Sequence, residues 1–300
     1  LVQALGASAC MVVPRAVIRD HYNTQAAARA MSLLMLIIGA APMLAPILGA
    51  QILQVASWRA IFAVLTVIGV GLIIAMHFAM TETVVRSQAA RLGWRTVAGS
   101  YLALLRHRQF MAMALAGGLG LGCLFTYVIG SPHVLIEVYG VSPQMFSLLF
   151  AMNALSLIIA SQVNARLLTR HHPSRIIRPA LWVLPGVGLT ALALTLSGLL
   201  PLPVLLLCLM AFMASQGFIG PNSAALALSQ QDGRLGAASA LIGVLQFASG
   251  TAVGFVLSLW RTDDATSLIT IMATCSVLAH LFGRYGLKLT RAGASHAAHG

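Results

Sequence analysis

Charge is almost absent from most of this chain, and its absence comes in blocks of a telling length. Residues 1–14, 30–58, 60–81, 109–136, 138–165, 179–231, 235–260 and 265–283 hold no Asp, Glu, Lys or Arg. Most of these blocks exceed the roughly 20 residues a helix needs to cross the hydrocarbon core of a bilayer. The 53-residue block from Pro179 is too long for one crossing. Leu200-Pro201-Leu202-Pro203 lies in its middle, and two prolines so close cannot continue a helix, so the block resolves into two spans joined by a tight turn. The sum is eight complete spans and one partial span at the start. In lipid the backbone must satisfy its own hydrogen bonds, which leaves helices and closed barrels. Barrel strands alternate in short segments, whereas these blocks are apolar on nearly every side, so the fold class is an all-α polytopic membrane protein. Only 8% of residues are charged, against roughly 25% in soluble domains, which excludes a water-soluble fold.

A net charge of +12 raises the question of a nucleic-acid partner. The positions of the basic residues answer it. If the chain crosses at each block, one side carries Arg15, Arg19, Arg29, Arg86, Arg91, Arg95, Arg106, Arg108, Arg166, Arg170, Arg175, Arg178, Arg234, Arg284, Lys288 and Arg291, and the other only Arg59 and Arg261. Such an asymmetry is that of positive-inside topology, and it puts the C-terminus in the cytoplasm of a multi-pass protein of the bacterial inner membrane. No nucleic acid is expected as a partner.

Cys10, Cys123, Cys208 and Cys275 fall one per span without paired spacing, which speaks against a disulfide framework or a thiolate metal site and makes them packing residues. His171-His172, His296 and His299 have no clustered carboxylate or thiol to complete a metal site and read as solvated loop histidines. His77 and His280 read as residues near helix ends whose rings reach the interface. The first block is too short to span and the sequence starts with Leu, so the expectation is a chain that lacks its N-terminal end.

The longest charged interruption, 82–108, intersperses Leu92, Val97, Leu102, Leu104 and Leu105 with Arg91, Arg95, Arg106 and Arg108, the pattern of an interfacial amphipathic helix. At least three spans precede it and six follow. A long basic linker ahead of a six-helix half resembles the major facilitator superfamily, whose halves are parallel repeats. Gln3-Ala4-Leu5-Gly6-Ala7-Ser8-Ala9, then Arg15-Ala16-Val17-Ile18-Arg19-Asp20, resembles the end of the fourth helix and the following loop of the Bcr/CflA drug-resistance family. The likeness continues through Ser32, Pro42, Ala45-Pro46 and Gly49 to Trp58-Arg59-Ala60-Ile61-Phe62 at the start of that family's sixth helix. Downstream, Phe125-Thr126-Tyr127, Ser131-Pro132, Phe146, Phe150, Asn164-Ala165 and Gly220-Pro221-Asn222 keep the same order. The resemblance implies a major facilitator fold with helices four to twelve present and one to three missing. Residues 1–81 would form an incomplete N-terminal bundle, 82–108 the linker, 109–286 a six-helix bundle and 287–300 a cytoplasmic tail. One departure lies in the fifth-helix antiporter motif, where Ala45-Pro46-Ile47-Leu48-Gly49-Ala50 stands in place of a Gly before the proline and a Gly pair after it.

The resemblance also implies a cytoplasmic gate. Arg15 and Arg19 share a helix face beside Asp20, and Arg166, Arg170 and Arg175 would face Asp232 in the second half. Topological anchoring explains the same arginines. Gly39, Pro42, Pro46 and Gly49 in one span, and Gly236, Gly243, Gly250 and Gly254 in its repeat equivalent, form small-residue stripes for helix packing, with a hinge role as the sharper expectation. Polar residues inside spans need partners or water, which marks Tyr127, Asn153, Asn164, Gln216, Asn222 and Gln246 as candidate cavity residues. Asn153, Ser156 and Asn164 share a face that suits either a water path or interhelical hydrogen bonds.

The six acids, Asp20, Glu82, Glu137, Asp232, Asp263 and Asp264, sit at loops or span ends, so the resemblance assigns the proton-binding acid to the first helix of the fold. No cofactor is expected, the proton gradient being the energy source. The implied function is proton-coupled efflux of small, mostly apolar drugs of the bicyclomycin or chloramphenicol kind by a monomer, with drug, protons and lipid as partners. A facilitator or metabolite exporter, for instance of an amino acid, is the alternative. A membrane-embedded enzyme would need a cluster of His, Asp, Glu or Cys at a span end, and none is present in the sequence. Nor is there a Gly-Lys-Ser/Thr phosphate loop for ATP.

Overall fold

Backbone groups in a bilayer have no water to bond, so each charge-free block must close its own hydrogen-bond ladder. In the computed structural model the described blocks do so as α-helices. The structure describes residues 51–79, 94–229, 231, 234–260 and 262–297, with isolated positions 6, 44, 45, 48 and 49. Among the described residues there is no strand, and seven helices are long and apolar enough to cross a membrane. They coincide with seven of the eight complete spans read from sequence. The block at 1–14, and 30–58 for the most part, lies outside the described residues.

The chain divides into two compact units, Leu1–Arg91 and Leu92–Gly300. In the first, α1 (Trp58–Ala79) begins at Trp58, whose ring stands edge-on to Phe62 with centroids 5.9 Å apart. The Arg59 guanidinium lies 4.6 Å from the Trp58 ring centre. An aromatic with a cation at a span end is the usual anchor at a membrane surface.

The second unit runs α2 (Trp94–Arg106), α3 (Arg108–Pro132), a wide π-helical turn (His133–Val138), α4 (Pro143–Leu167), α5 (Pro173–Leu196), α6 (Leu202–Leu228), α7 (Leu235–Leu259) and α8 (Thr266–Ala297). At the centre stands α3, which packs on α6, α7 and α8; α4 packs on α6, and α5 on α6 and α8. The amphipathic linker helix is α2. Its Leu104 is fully buried, whereas Leu102 and Leu105 are half exposed.

Local chemistry sets the breaks. Pro132 removes a ladder donor at the end of α3, and the chain widens into the π turn directly after it. Gly140 and Gly198 both adopt φ +67°, a left-handed conformation that glycine takes without a Cβ penalty. At Gly198 the Leu199 N–H donates to Leu194 O and the Gly198 N–H to Thr195 O, closing α5 with paired bonds before Pro201 precedes α6. Ser142 accepts from the Met145 N–H to start α4, and Asp264 accepts from both the backbone N–H (2.9 Å) and the hydroxyl (2.6 Å) of Thr266 to start α8. Tyr139 ties this end together by donating to Leu200 O at 2.7 Å. Burial, and then the nearby Asp264 charge, push its phenol above the ordinary value.

Helix α8 departs from expectation at its end. It continues to Ala297, so the bundle-to-tail boundary expected at 286/287 falls inside it. The reason is packing: Leu287 is buried, and Gly286 lies so close to α3 that a Cβ there would be 2.6 Å from Met113 Cε.

Lipid supplies no hydrophobic drive to pack apolar helices together, so close approach at small residues does the work. A Cβ on Gly118 of α3 would sit 3.2 Å from Leu245 O of α7, and one on Gly130 would be 2.7 Å from Leu268 of α8. On α5 a Cβ at Gly188 would lie 3.1 Å from Ala273 Cα of α8; on α6, one at Gly217 would lie 2.9 Å from Ser161 N and 3.0 Å from Leu157 O of α4. The small-residue stripe of α7 divides. Gly250 and Gly254 meet Phe125 and Ile129 of α3, but Gly236 and Gly243 have nothing within 4 Å. Within this unit these two do not pack, because they lie off the buried stripe formed by Ala238, Leu241, Ile242, Gly250, Val253 and Leu257. Of the first stripe, Gly49 has open space around it, and Gly39, Pro42 and Pro46 lie outside the described residues.

Two consequences are measurable by thermal unfolding of the purified protein in detergent. Gly217→Val, which sets a branched side chain against α4 backbone, should lower stability by about 1–3 kcal/mol, whereas Gly243→Ala should leave it unchanged. The Asp264 carboxyl is held below its ordinary pKa, first by the Thr266 hydroxyl and then by the Thr266 backbone N–H. Its contribution is therefore present above the ordinary carboxylate range and lost as pH falls through the lowered value. Asp264→Ala should cost about 0.5–1 kcal/mol near neutral pH, the low end for a cap because the group is exposed, and the deficit should close at acid pH.

Candidate functional site: a buried polar ladder beside an aromatic wall

Asparagine, glutamine and tyrosine inside a span must find partners on neighbouring helices or keep unsatisfied atoms, and both outcomes occur where α3, α4 and α6 meet. Near the basic end Gln109 is buried and donates to Leu226 O of α6 at 2.7 Å, with Thr290 of α8 at 3.4 Å. Below it Asn222 of α6 donates to Asn164 Oδ1 of α4 at 2.5 Å and to Phe218 O at 2.7 Å, both side chains being fully enclosed. Gln216 follows, its amide lying on the backbone of α3. Oriented to satisfy both neighbours, its Nε2 donates to Gly120 O at 3.3 Å and its Oε1 accepts from the Leu121 N–H at 3.0 Å. Any side chain at residue 120 would collide with that amide.

The last rung differs. Tyr127 and Ser131 of α3 and Asn153 of α4 come together, the phenol interacting with both of the others. Here the Tyr127 hydroxyl, Ser131 Oγ and Asn153 Oδ1 are all buried without a well-formed hydrogen bond; higher on the ladder Gln109 Oε1 and Asn222 Oδ1 are also unpaired, but each of those amides bonds another helix through its nitrogen. Asn153 uses only its Nδ2, which donates to Leu149 O at 3.0 Å within its own helix. Tyr127 stacks on Phe150 (centroids 5.3 Å apart, planes 19° apart), and Phe150 adjoins Phe146 at 5.8 Å. The arrangement is an aromatic wall facing three polar atoms with unused bonding capacity. Tyr127 is 2% and Asn153 1% exposed, so the cluster is closed.

Of the six candidate cavity residues, Tyr127 and Asn153 are thus brought together, Asn164, Gln216 and Asn222 serve interhelical bonds higher on the ladder, and Gln246 stands apart, half-buried on α7. The shared face of Asn153, Ser156 and Asn164 turns towards α6: Ser156 donates to Met210 O at 3.2 Å, so interhelical bonding rather than a water path uses it. From sequence, Ser131, Phe146 and Phe150 stand out only through the family resemblance, and Gln109 only as a lone amide in the first turn of an apolar helix.

Among the gate candidates Arg166, Arg170 and Arg175 are exposed at the basic ends of α4 and α5, without a carboxylate partner among the described residues. Arg15, Arg19, Asp20 and Asp232 lie outside those residues. Cys123, Cys208 and Cys275 are buried and free, and the Cys123 and Cys275 thiols meet across α3 and α8. His280 is corrected. It is buried in the body of α8 and its Nδ1 lies 2.5 Å from Leu181 O of α5, so its ring ties two helices together and does not extend towards solvent. Helix α8 runs four turns beyond it, which removes the premise that it sits near a helix end.

Residues 1–255 match the family model described as Major Facilitator Superfamily. The chain belongs to the major facilitator superfamily. It is 34% identical to the uncharacterized MFS-type transporter YdgK of Bacillus subtilis over 97% of its own length and 72% of that protein. It is 29% identical to the bicyclomycin resistance protein homolog of Haemophilus influenzae, covering 94% of this chain and 71% of the relative. The multidrug resistance protein MdtL of Salmonella paratyphi A is likewise 29% identical, over 93% of this chain and 69% of its own. As a member of this superfamily the protein is a multi-pass membrane transporter, and a transporter needs polar groups inside its spans that are not all consumed by structure.

That distinction can be measured. Asn164→Ala removes a formed bond and should lower unfolding stability in detergent by about 0.5–2 kcal/mol, the range for interhelical bonds in membranes. Tyr127→Phe deletes a hydroxyl that makes no well-formed hydrogen bond and should leave stability unchanged or slightly raised. Equal losses for the two would show that Tyr127 is structural too.

Proposed function

We propose that this superfamily member is a drug exporter of the Bcr/CflA type, moving small, mostly apolar molecules of the bicyclomycin or chloramphenicol class out across the bacterial inner membrane. The observation that carries the reading is the closed cluster of Tyr127, Ser131 and Asn153 against Phe146 and Phe150. Apolar aromatic faces bind many small molecules with little selectivity, while a few free polar atoms orient them. The printed names of the relatives, bicyclomycin resistance protein homolog and multidrug resistance protein, support the same substrate class.

Transport is by alternating access, since a cluster this enclosed exchanges its contents only when the helices around it part. Arg166, Arg170 and Arg175 belong to the gate, pairing in one state with Asp232, and Arg15, Arg19 and Asp20 pair in the outward-facing state with the loop that the resemblance puts between the second and third helices of the fold. Exposed pairs are worth about 0–1 kcal/mol, which suits contacts that break in every cycle. The basic ends and the C-terminus face the cytoplasm. Export is coupled to protons. The three described acids, Glu137, Asp263 and Asp264, lie at the opposite, sparsely charged end. The proton-binding carboxylate is therefore assigned, by resemblance, to the first helix of the fold.

In inverted membrane vesicles, an imposed pH gradient should drive drug uptake, and an ionophore that collapses it should return uptake to background. Unchanged uptake after collapse would sink the coupling and leave a facilitator. Tyr127→Ala and Asn153→Ala should each reduce drug uptake about tenfold at equal protein level, the effect of losing about 1.4 kcal/mol of binding. Uptake that survives both would place the substrate elsewhere.

A further inference from the structure

Away from the polar ladder, α5 and α8 enclose an outward-facing groove of about 500 Å³ at their basic ends. Arg178 and Trp182 line it from α5, and Leu281, Arg284, Tyr285 and Lys288 from α8. The spacings of four on one helix, and of three, four and seven on the other, set each group along one face. Trp182, Leu281 and Tyr285 are 60%, 57% and 44% exposed, so large apolar and aromatic surface stands open beside three cations. None of the three cations has a carboxylate partner among the described residues. The described carboxylate on the approach to α8, Asp264, lies 20 residues from Arg284, about 30 Å along the helix and one hydrocarbon thickness away.

The groove is built, not incidental. His280 fixes its floor by joining α8 to Leu181 O of α5, and its ring stands edge-on to Trp182 with centroids 4.4 Å apart. Trp182 in turn holds the Arg284 guanidinium 4.9 Å from its ring centre. Cations at the membrane surface, aromatics at headgroup depth and an apolar strip running inward form a surface with one polar and one acyl half.

We propose that this groove is a binding site for an anionic glycerophospholipid, its phosphate held by Arg178, Arg284 and Lys288 and an acyl chain laid along Trp182 and Leu281. A soluble phosphate would use the cations alone and leave the apolar strip uncovered; a zwitterionic lipid would meet three positive charges with no net negative charge.

Trp182 makes the test direct. In the full-length protein with every tryptophan but Trp182 replaced by Phe, among them Trp58, Trp94 and Trp260, the fluorescence of Trp182 reports on the groove. The protein is reconstituted in phosphatidylcholine vesicles containing phosphatidylglycerol or phosphatidylcholine brominated near the glycerol end of its acyl chains. Brominated phosphatidylglycerol should quench Trp182 with a relative association constant at least about fivefold above that of the brominated phosphatidylcholine, and each cation neutralised should remove about fivefold. The triple variant Arg178→Gln, Arg284→Gln, Lys288→Gln should abolish the preference, while the charge-neutralising control Arg106→Gln with Arg234→Gln should keep it. Excess inorganic phosphate should not displace the lipid. Equal quenching by both lipids would overturn the proposal without recourse to any groove variant. So would quenching by neither, which would mean that protein covers the groove. Displacement by inorganic phosphate would reassign the site to a soluble anion, and loss of preference in the control would reduce it to general surface charge.

Discussion

Everything in the second unit hangs on how closely α3 can be approached. Apolar helices in lipid gain nothing from hiding hydrophobic surface, because the tails around them are as apolar as their neighbours. What holds them is contact distance, and α3 supplies it by presenting glycine to three partners: Gly117 and Gly120 to α6, Gly118 to α7 and Gly130 to α8. The partners answer with small groups of their own, Ser249 from α7 and Gly217 of α6 against Ala160 of α4. A bundle built on bare backbone faces is tight where the glycines are and free to part where they are not.

That close packing gives the polar ladder its character. Backbones near enough to touch let short amides reach across, so Asn164, Asn222, Gln216 and Gln109 find partners and are spent on structure. Gln109 and Asn222 each keep one unpaired oxygen, but Tyr127, Ser131 and Asn153 keep theirs together, beside the Tyr127–Phe150 stack. A membrane interior penalises unpaired polar atoms, and here three of them are buried in one cluster.

Much of the fold was legible in the residues. Charge-free blocks gave the spans, Pro201 and Pro203 marked the break in the longest of them, and Leu104 among arginines marked the linker helix, because each signal is carried by the segment itself. The candidate site was legible only in part. A polar residue in a span announces that it needs a partner and says nothing of which, so Asn222 and Tyr127 look alike in sequence although one is bonded across helices and the other is not. The same limit explains His280: its distance from the end of a charge-free block suggested an interfacial ring, whereas α8 continues well past it. It also explains Gly236 and Gly243, which share a stripe with Gly250 and Gly254 but not the neighbour.

By itself, then, the sequence determined that the chain is a membrane-spanning helical bundle, which segments span, and which ends carry positive charge. Those properties follow from the transfer of each segment between water and lipid, which depends on composition and not on neighbours. Only the tertiary structure decided which polar groups are spent and which are kept, which glycines are contacts, and that Arg178, Arg284 and Lys288 converge on one groove. Each of these depends on residues far apart in the chain meeting at a few ångströms, a distance that helix packing sets and no single segment encodes.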